Sequence, residues 1–211
     1  TLKHNVEAGA NTAVGDLALR QLKTSTASTY NTAVGRASQR GPNNEAQFHT
    51  GERNTSVGAG SMKVITTGND NTAVGYWSQY GASITGDFNT SVGSNSLKNL
   101  VSGDKNISVG HEAGDVITSG SNNVIIGSGS DPSASSASNQ TVIGYNVTGQ
   151  ADNSVVLGNA DVTAIYMAQD KGATVHAAGA DLSGSTGLIL ENDETITAVS
   201  YTHLTLPTMM S

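Results

Sequence analysis

Asn71-Thr-Ala-Val-Gly75 is one of nine short segments on which the reading of this chain turns. Four share its form: Asn11-Thr-Ala-Val-Gly15, Asn31-Thr-Ala-Val-Gly35, Asn54-Thr-Ser-Val-Gly58 and Asn89-Thr-Ser-Val-Gly93. Four more relax it: Asn106-Ile-Ser-Val-Gly110, Asn123-Val-Ile-Ile-Gly127, Gln140-Thr-Val-Ile-Gly144 and Ser154-Val-Val-Leu-Gly158. Their closing glycines are 20, 23, 17, 18, 17, 17, 17 and 14 residues apart. A period near 17 marks a repeat architecture, shorter than the common helical repeats.

The flanks repeat too. A second Gly stands three residues before the Asn in five copies (Gly51, Gly68, Gly86, Gly103 and Gly120). A small residue follows the closing Gly by three, as in Ala18, Ser38, Ser61, Ser78, Ser96, Ala113 and Ser130. The middle copies carry a further β-prone patch: Val64-Ile65-Thr66, Ser83-Ile84-Thr85, Leu100-Val101-Ser102 and Val116-Ile117-Thr118. Each unit therefore reads as strand, Gly corner, short second strand and Gly turn. Thr and Val favour extended backbone, while Gly and Asn accept the positive φ that corners need. Alternation along the pentamer puts Thr and Val on one face and Asn and Ala on the other, and leaves open which face is inside.

Such a unit cannot fold alone, because nothing covers its face. Stacked at the ~4.8 Å strand spacing, nine coils would make a column of roughly 40 Å, each strand pairing with its copy in the next coil. The recurring Asn would then form a ladder of side-chain amides. The expected fold is an all-β parallel β-solenoid, or β-roll, of about nine short coils. Its small side chains leave a thin interior, so identical copies are expected to pack together, with a homotrimer as the favoured arrangement.

Composition agrees. Of 211 residues 25 are Gly, only two are Phe and one is Trp, and charged residues make up 13%. A compact ball built from these side chains would bury too little area to offset its conformational entropy, and the low charge argues against disorder. There is no Cys, which excludes disulfides, thiolate metal sites and Cys nucleophiles. A net charge of −7 without a Lys/Arg cluster along the sequence argues against nucleic-acid binding. No apolar run approaches the roughly 20 residues that span a bilayer, so no membrane insertion is expected.

The Asn-Thr-Ala-Val-Gly units resemble the repeats of bacteriophage tail-fibre and tail-spike proteins, where a C-terminal intramolecular chaperone domain often follows. More distantly they resemble the Ser-Val-Ala-Ile-Gly units of the left-handed β-roll heads of trimeric autotransporter adhesins. The resemblance covers about Asn11 to Gly158, and the segment Asn153–Thr163 with Ile165-Tyr-Met167 resembles the closing segment of such arrays. The looser spacing favours the phage setting. The resemblance implies left-handed coils, a trimer on the virion, and a host-surface glycan or protein as partner. The runner-up setting is a bacterial cell-surface adhesin head.

The expected organisation is an N-terminal fragment end (1–10), the solenoid (11–163), and a closing segment opening a truncated region (164–198). Residues 199–211, with Val199-Ser-Tyr-Thr-His-Leu-Thr-Leu-Pro-Thr208, resemble the translation of a sequencing adapter. The chain starts at Thr1 without an initiating Met, which reads as a fragment.

No catalytic constellation stands out: no Gly-x-Ser-x-Gly elbow, no phosphate loop, and no carboxylate pair of the kind a polysaccharide-cleaving spike requires. An enzyme, a cofactor and a metal are not expected. His4, His49, His111, His176 and His203 lack ligand spacing and read as exposed loop positions. Asp70, Asp87 and Asp104 recur before the Asn and could align on a cation, but read better as turn residues satisfying backbone N–H groups. Asn54, Asn89, Asn106 and Asn146 match the glycosylation pattern, three of them as the repeat's own Asn. The candidates for recognition are Tyr76, Trp77 and Tyr80, since aromatic groups stack on sugars and apolar partners, although Trp77 reads more readily as filling a gap between chains. Phe48 and His49 are weaker candidates, in the 15-residue insertion Gln39–Arg53 that is expected to bulge outward.

Overall fold

A computed structural model of the chain describes residues 10–20, 22, 30–42 and 49–166. The chain divides into two compact units, Thr1–Ala164 and Ile165–Ser211; of the second, only Ile165 and Tyr166 are described. The expected boundaries at 198 and 199 lie outside the described residues, as does Phe48.

The first unit is a parallel β-solenoid of about eight turns. Among the described residues nine three-residue strands follow one another: β1 (Thr12–Val14), β2 (Thr32–Val34), β3 (Thr55–Val57), β4 (Thr72–Val74), β5 (Thr90–Val92), β6 (Ile107–Val109), β7 (Val124–Ile126), β8 (Thr141–Ile143) and β9 (Val155–Leu157). They form one sheet in sequence order, every pair parallel and in register, so that Thr72 faces Thr90 and Val74 faces Val92. No helix occurs among the described residues. Each strand touches only its sequence neighbours.

Which face is inside is now clear. The Asn and the middle strand residue point inward: Asn71 and Ala73, or Asn89 and Ser91, are fully buried, while Val74 and Val92 are exposed. The Asn residues form the ladder. In each case Oδ1 accepts the backbone N–H of the next Asn, and Nδ2 donates to the carbonyl of the Gly three residues before it. For Asn71 these bonds reach Asn89 N at 2.8 Å and Gly86 O at 2.8 Å. The second Gly of the repeat is thus the receptor for the preceding coil's amide. Asn123 finds Ala137 O there, and Gln140 continues the column by donating its backbone N–H to Asn123 Oδ1.

The closing glycines stack just as tightly. Gly75 has φ of +138°, and a Cβ there would lie 2.3 Å from the Gly93 oxygen. No L side chain fits that combination.

Among the described residues the second strand expected in each unit does not form. Around Ile65 and Ile84 it is reduced to an isolated bridge. Here one carbonyl takes two successive N–H groups, Val101 O from Thr85 and Gly86 and Thr118 O from Val101 and Ser102, so the alternate bonding of a ladder is not kept. Individual bonds survive, such as Thr85 N to Val101 O at 2.7 Å.

The interior is thin and divided. One apolar cluster holds Ala18, Leu19, Leu22 and Ala33, a second Met62, Ile65, Ala73 and Ile84, and a third Leu97, Leu100, Ile117, Ile125 and Val142 among others. Gln39 and Gln79, fully buried, occupy rungs between them. Gln39 Nε2 donates to Thr32 O, Asn54 O and Ser56 Oγ at 3.0–3.1 Å. Buried Ser78 and Ser91 add a side-chain bond at 2.5 Å. Buried polar groups thus share this core with the apolar side chains, which supply most of its largest residues.

Candidate recognition surface

Each closing Gly opens a tight corner in which the second and fourth following residues tend to be left-handed, as at Trp77 (φ 54°) and Gln79 (φ 48°). Because the coils are in register, equivalent corner residues stack into columns. At the fifth place after the Gly the column reads Arg20, Arg40, Lys63, Tyr80, Lys98 and Asp115. At the first it includes Asp16, Arg36, Ala59 and Tyr76; at the second, Leu17, Ala37, Gly60 and Trp77.

The three aromatic candidates come together. Tyr76 stacks on Trp77 with centroids 4.7 Å apart and planes 18° apart, and Trp77 meets Tyr80 at 4.8 Å and 35°. Trp77 packs within its own chain: its edge fills a notch at Gly60, where a Cβ would lie 2.6 Å from Trp77 Cδ1. Tyr76 is half exposed. Lys63 Nζ donates to Tyr80 Oη at 2.8 Å and lies 4.9 Å from that ring's centroid; Lys98 Nζ is 5.8 Å from the Trp77 ring.

Beside this platform is a cleft of about 190 Å³ lined by Arg36, Arg40, Lys63, Tyr76, Trp77 and small or apolar residues. Nε and Nη2 of Arg40 are shielded from solvent and have no hydrogen-bond partner. Burial, then the charge of Arg20 and that of Arg36, lower the Arg40 guanidinium from its ordinary value, against the opposing influence of Tyr80. Arg36 lies 4.0 Å from Asp16 with both side chains largely in solvent. The pattern of cations was invisible along the sequence because its members are 20, 23 and 35 residues apart.

His49 differs from the expectation of an exposed position. It is fully buried and bridged to Leu22, and burial pushes its imidazole down to about 3. Within the insertion Gln39 and His49 lie buried on the interior side of the circuit and Arg53 is exposed, while residues 43–48, between them, lie outside the described residues. His111 stays exposed, 3.7 Å from Glu112. His4, His176 and His203 lie outside the described residues.

Asp87 and Asp104 serve the coil stack: Asp87 Oδ1 accepts Asn69 N–H at 2.6 Å, and Asp104 Oδ1 accepts Asp87 N–H at 2.8 Å. These are N–H groups of the preceding coil, where the sequence pointed to local ones. Asp70 instead pairs with Arg53 at 2.7 and 2.9 Å, a contact that lowers its carboxyl from the ordinary value. Among the described residues no group of three or more His, Asp or Glu is placed to hold a metal ion. Asn54, Asn89 and Asn106 are fully buried, and their amides belong to the ladder; Asn146 is exposed. Asp115 and Asp131 form an acidic pair beyond Lys98, outside the cleft; burial first, then Asp115, push Asp131 up to about 6.

Compared with family models, with curated proteins and with solved structures, the chain matches none.

Proposed function

We propose that this chain is a non-enzymatic shaft segment of a phage tail fibre. It assembles as a homotrimer of left-handed solenoids and holds host-attachment surface away from the particle. The observation that carries the reading is the outer column of the sheet. Val57, Val74, Val92, Val109, Ile126, Ile143 and Leu157 are each 37–43% exposed, and the column contains no charged residue. At the strand spacing these seven rungs extend about 30 Å. Continuous apolar strips of this kind mark interaction surfaces. A second and third copy of the same column would cover one another around a common axis, adding the core that each thin coil lacks. Threefold display multiplies weak sites, so avidity replaces single-site affinity.

Sedimentation of the chain and of Val74→Asp/Val109→Asp checks the assembly: the parent is expected to run as a trimer and the double variant as a folded monomer. A parent that stays monomeric at high micromolar concentration refutes the trimer. Neighbouring genes test the setting. Virion tail genes support it, whereas a membrane-anchor segment in the same reading frame would replace the fibre with a bacterial surface adhesin.

A further inference from the structure

The chain carries ten Lys and Arg residues in all, and five of them (Arg20, Arg36, Arg40, Lys63 and Lys98) lie in the corner columns, three of which (Arg36, Arg40 and Lys63) line one cleft. Within an acidic protein this is a local reversal of charge. Arg40, Lys63 and Lys98 have no salt-bridge partner among the described residues, and buried atoms of Arg40 lack any hydrogen-bond acceptor. Asp115, on the rung after Lys98, is felt only through space. Cations stacked on successive rungs at ~4.8 Å repel one another unless an anion lies between them.

The walls narrow the chemistry of that anion. The cleft has no carboxylate or amide side chain, so its charged groups can donate hydrogen bonds and cannot accept them. A neutral sugar would meet these cations with hydroxyls alone, whereas an acidic one adds a group whose charge they can neutralise. A carboxylate only accepts. The exposed ring of Tyr76, backed by Trp77, offers a flat apolar face suited to the C–H side of a sugar ring. At about 190 Å³ the space lies below the range of about 300–1,000 Å³ common for small-molecule pockets, and suits one ring of a longer chain.

We propose that this cleft binds an acidic saccharide, one ring against Tyr76–Trp77 and its carboxylate between Arg40 and Lys63. The proposal deepens the reading of the stack as an attachment surface and rests on it. Further carboxylates of the same chain would follow the column toward Lys98.

Trp77 is the only Trp in the chain, so its fluorescence reports on this cleft alone. The full chain is titrated with tetragalacturonate, with neutral maltotetraose and with tetraglutamate, and calorimetry is run in parallel. The expected result is that only tetragalacturonate binds well and shifts Trp77 emission, with affinity falling as salt rises from 50 to 200 mM. Arg40→Gln and Lys63→Gln each weaken it about tenfold, the value of one charge-assisted hydrogen bond, while keeping the parent's β-sheet circular dichroism. Tyr76→Ala weakens it without changing the salt dependence. Equal binding of maltotetraose overturns the selection for acid. Equal binding of tetraglutamate overturns the saccharide, and no binding by either method overturns the site. A monomeric chain that still selects the uronate would keep the cleft and lose the trimeric fibre; a trimer that ignores all three probes would do the reverse.

Discussion

Replacing Asn89 with Ala should damage the stack far more than the loss of one surface amide. Asn89 is fully buried; its Nδ2 donates to Gly103 O at 2.8 Å and its Oδ1 accepts Asn106 N–H at 2.9 Å. Truncation strands a buried carbonyl and a buried N–H on the neighbouring coil. Each unsatisfied group costs about 1–3 kcal/mol, so the expected loss is about 2–6 kcal/mol. That is a large share of the ~5–15 kcal/mol that holds a typical domain together. Asn99→Ala is the control: its Nδ2 bonds Asp115 O at 2.7 Å in an exposed setting, and removing it should cost under about 1 kcal/mol. Urea unfolding followed by circular dichroism gives the difference. Hydrogen exchange at the Asn106 amide locates it, because in a nearest-neighbour stack the damage begins at the broken rung. Equal stability of the two variants, with Asn106 still protected, would show that the amide ladder is incidental to the fold.

Gly75→Ala combines a forbidden φ with a Cβ only 2.3 Å from Gly93 O, and should destabilise by about 3 kcal/mol or more; a melting temperature equal to the parent's would contradict the stacked corner. Half-buried Asp131 and fully buried His49 should tilt the pH dependence in opposite directions. Asp131 is raised from 3.8 to about 6, so the stability it contributes is full below its unfolded value and is lost as pH rises toward 6. His49 is lowered from 6.5 to about 3, so its contribution is full above 6.5 and is lost as pH falls toward 3. Relative to the parent, His49→Leu should gain most in acid and Asp131→Asn should gain most near neutrality. Melts between pH 4 and 7 with parallel curves for all three proteins would refute both assignments.

Much of this architecture could be read from spacing. The nine pentads marked the nine strands, and their common register followed because identical residues had to pair with identical residues, as Thr72 does with Thr90. The buried direction did not follow. Asn71 and Val74 both suit a strand, and only the Gly86 carbonyl waiting in the next coil draws the amide inward. The second strand was misread because β-propensity at Val64–Thr66 says nothing about the bend that follows, where Thr66 and Gly68 turn their N–H groups to the one Ile84 carbonyl. The aromatic trio was legible as composition, since Trp77 interrupts a run of small residues. Its cationic surroundings were not, because Arg40, Lys63 and Lys98 are brought together only by stacking. His49 was misplaced because a histidine in a polar insertion gives no local sign of which way its ring will turn.

Contacts confined to adjacent strands have a genetic consequence. Duplicating one 17-residue unit inserts a rung whose two faces match those already present, so the array can lengthen or shorten by unequal recombination without repacking what lies above or below. Every such event also slides one corner's side chains past another by a single step. Lineages could therefore reposition a patch like that around Trp77, or assemble a new one, by shuffling units instead of waiting for point substitutions.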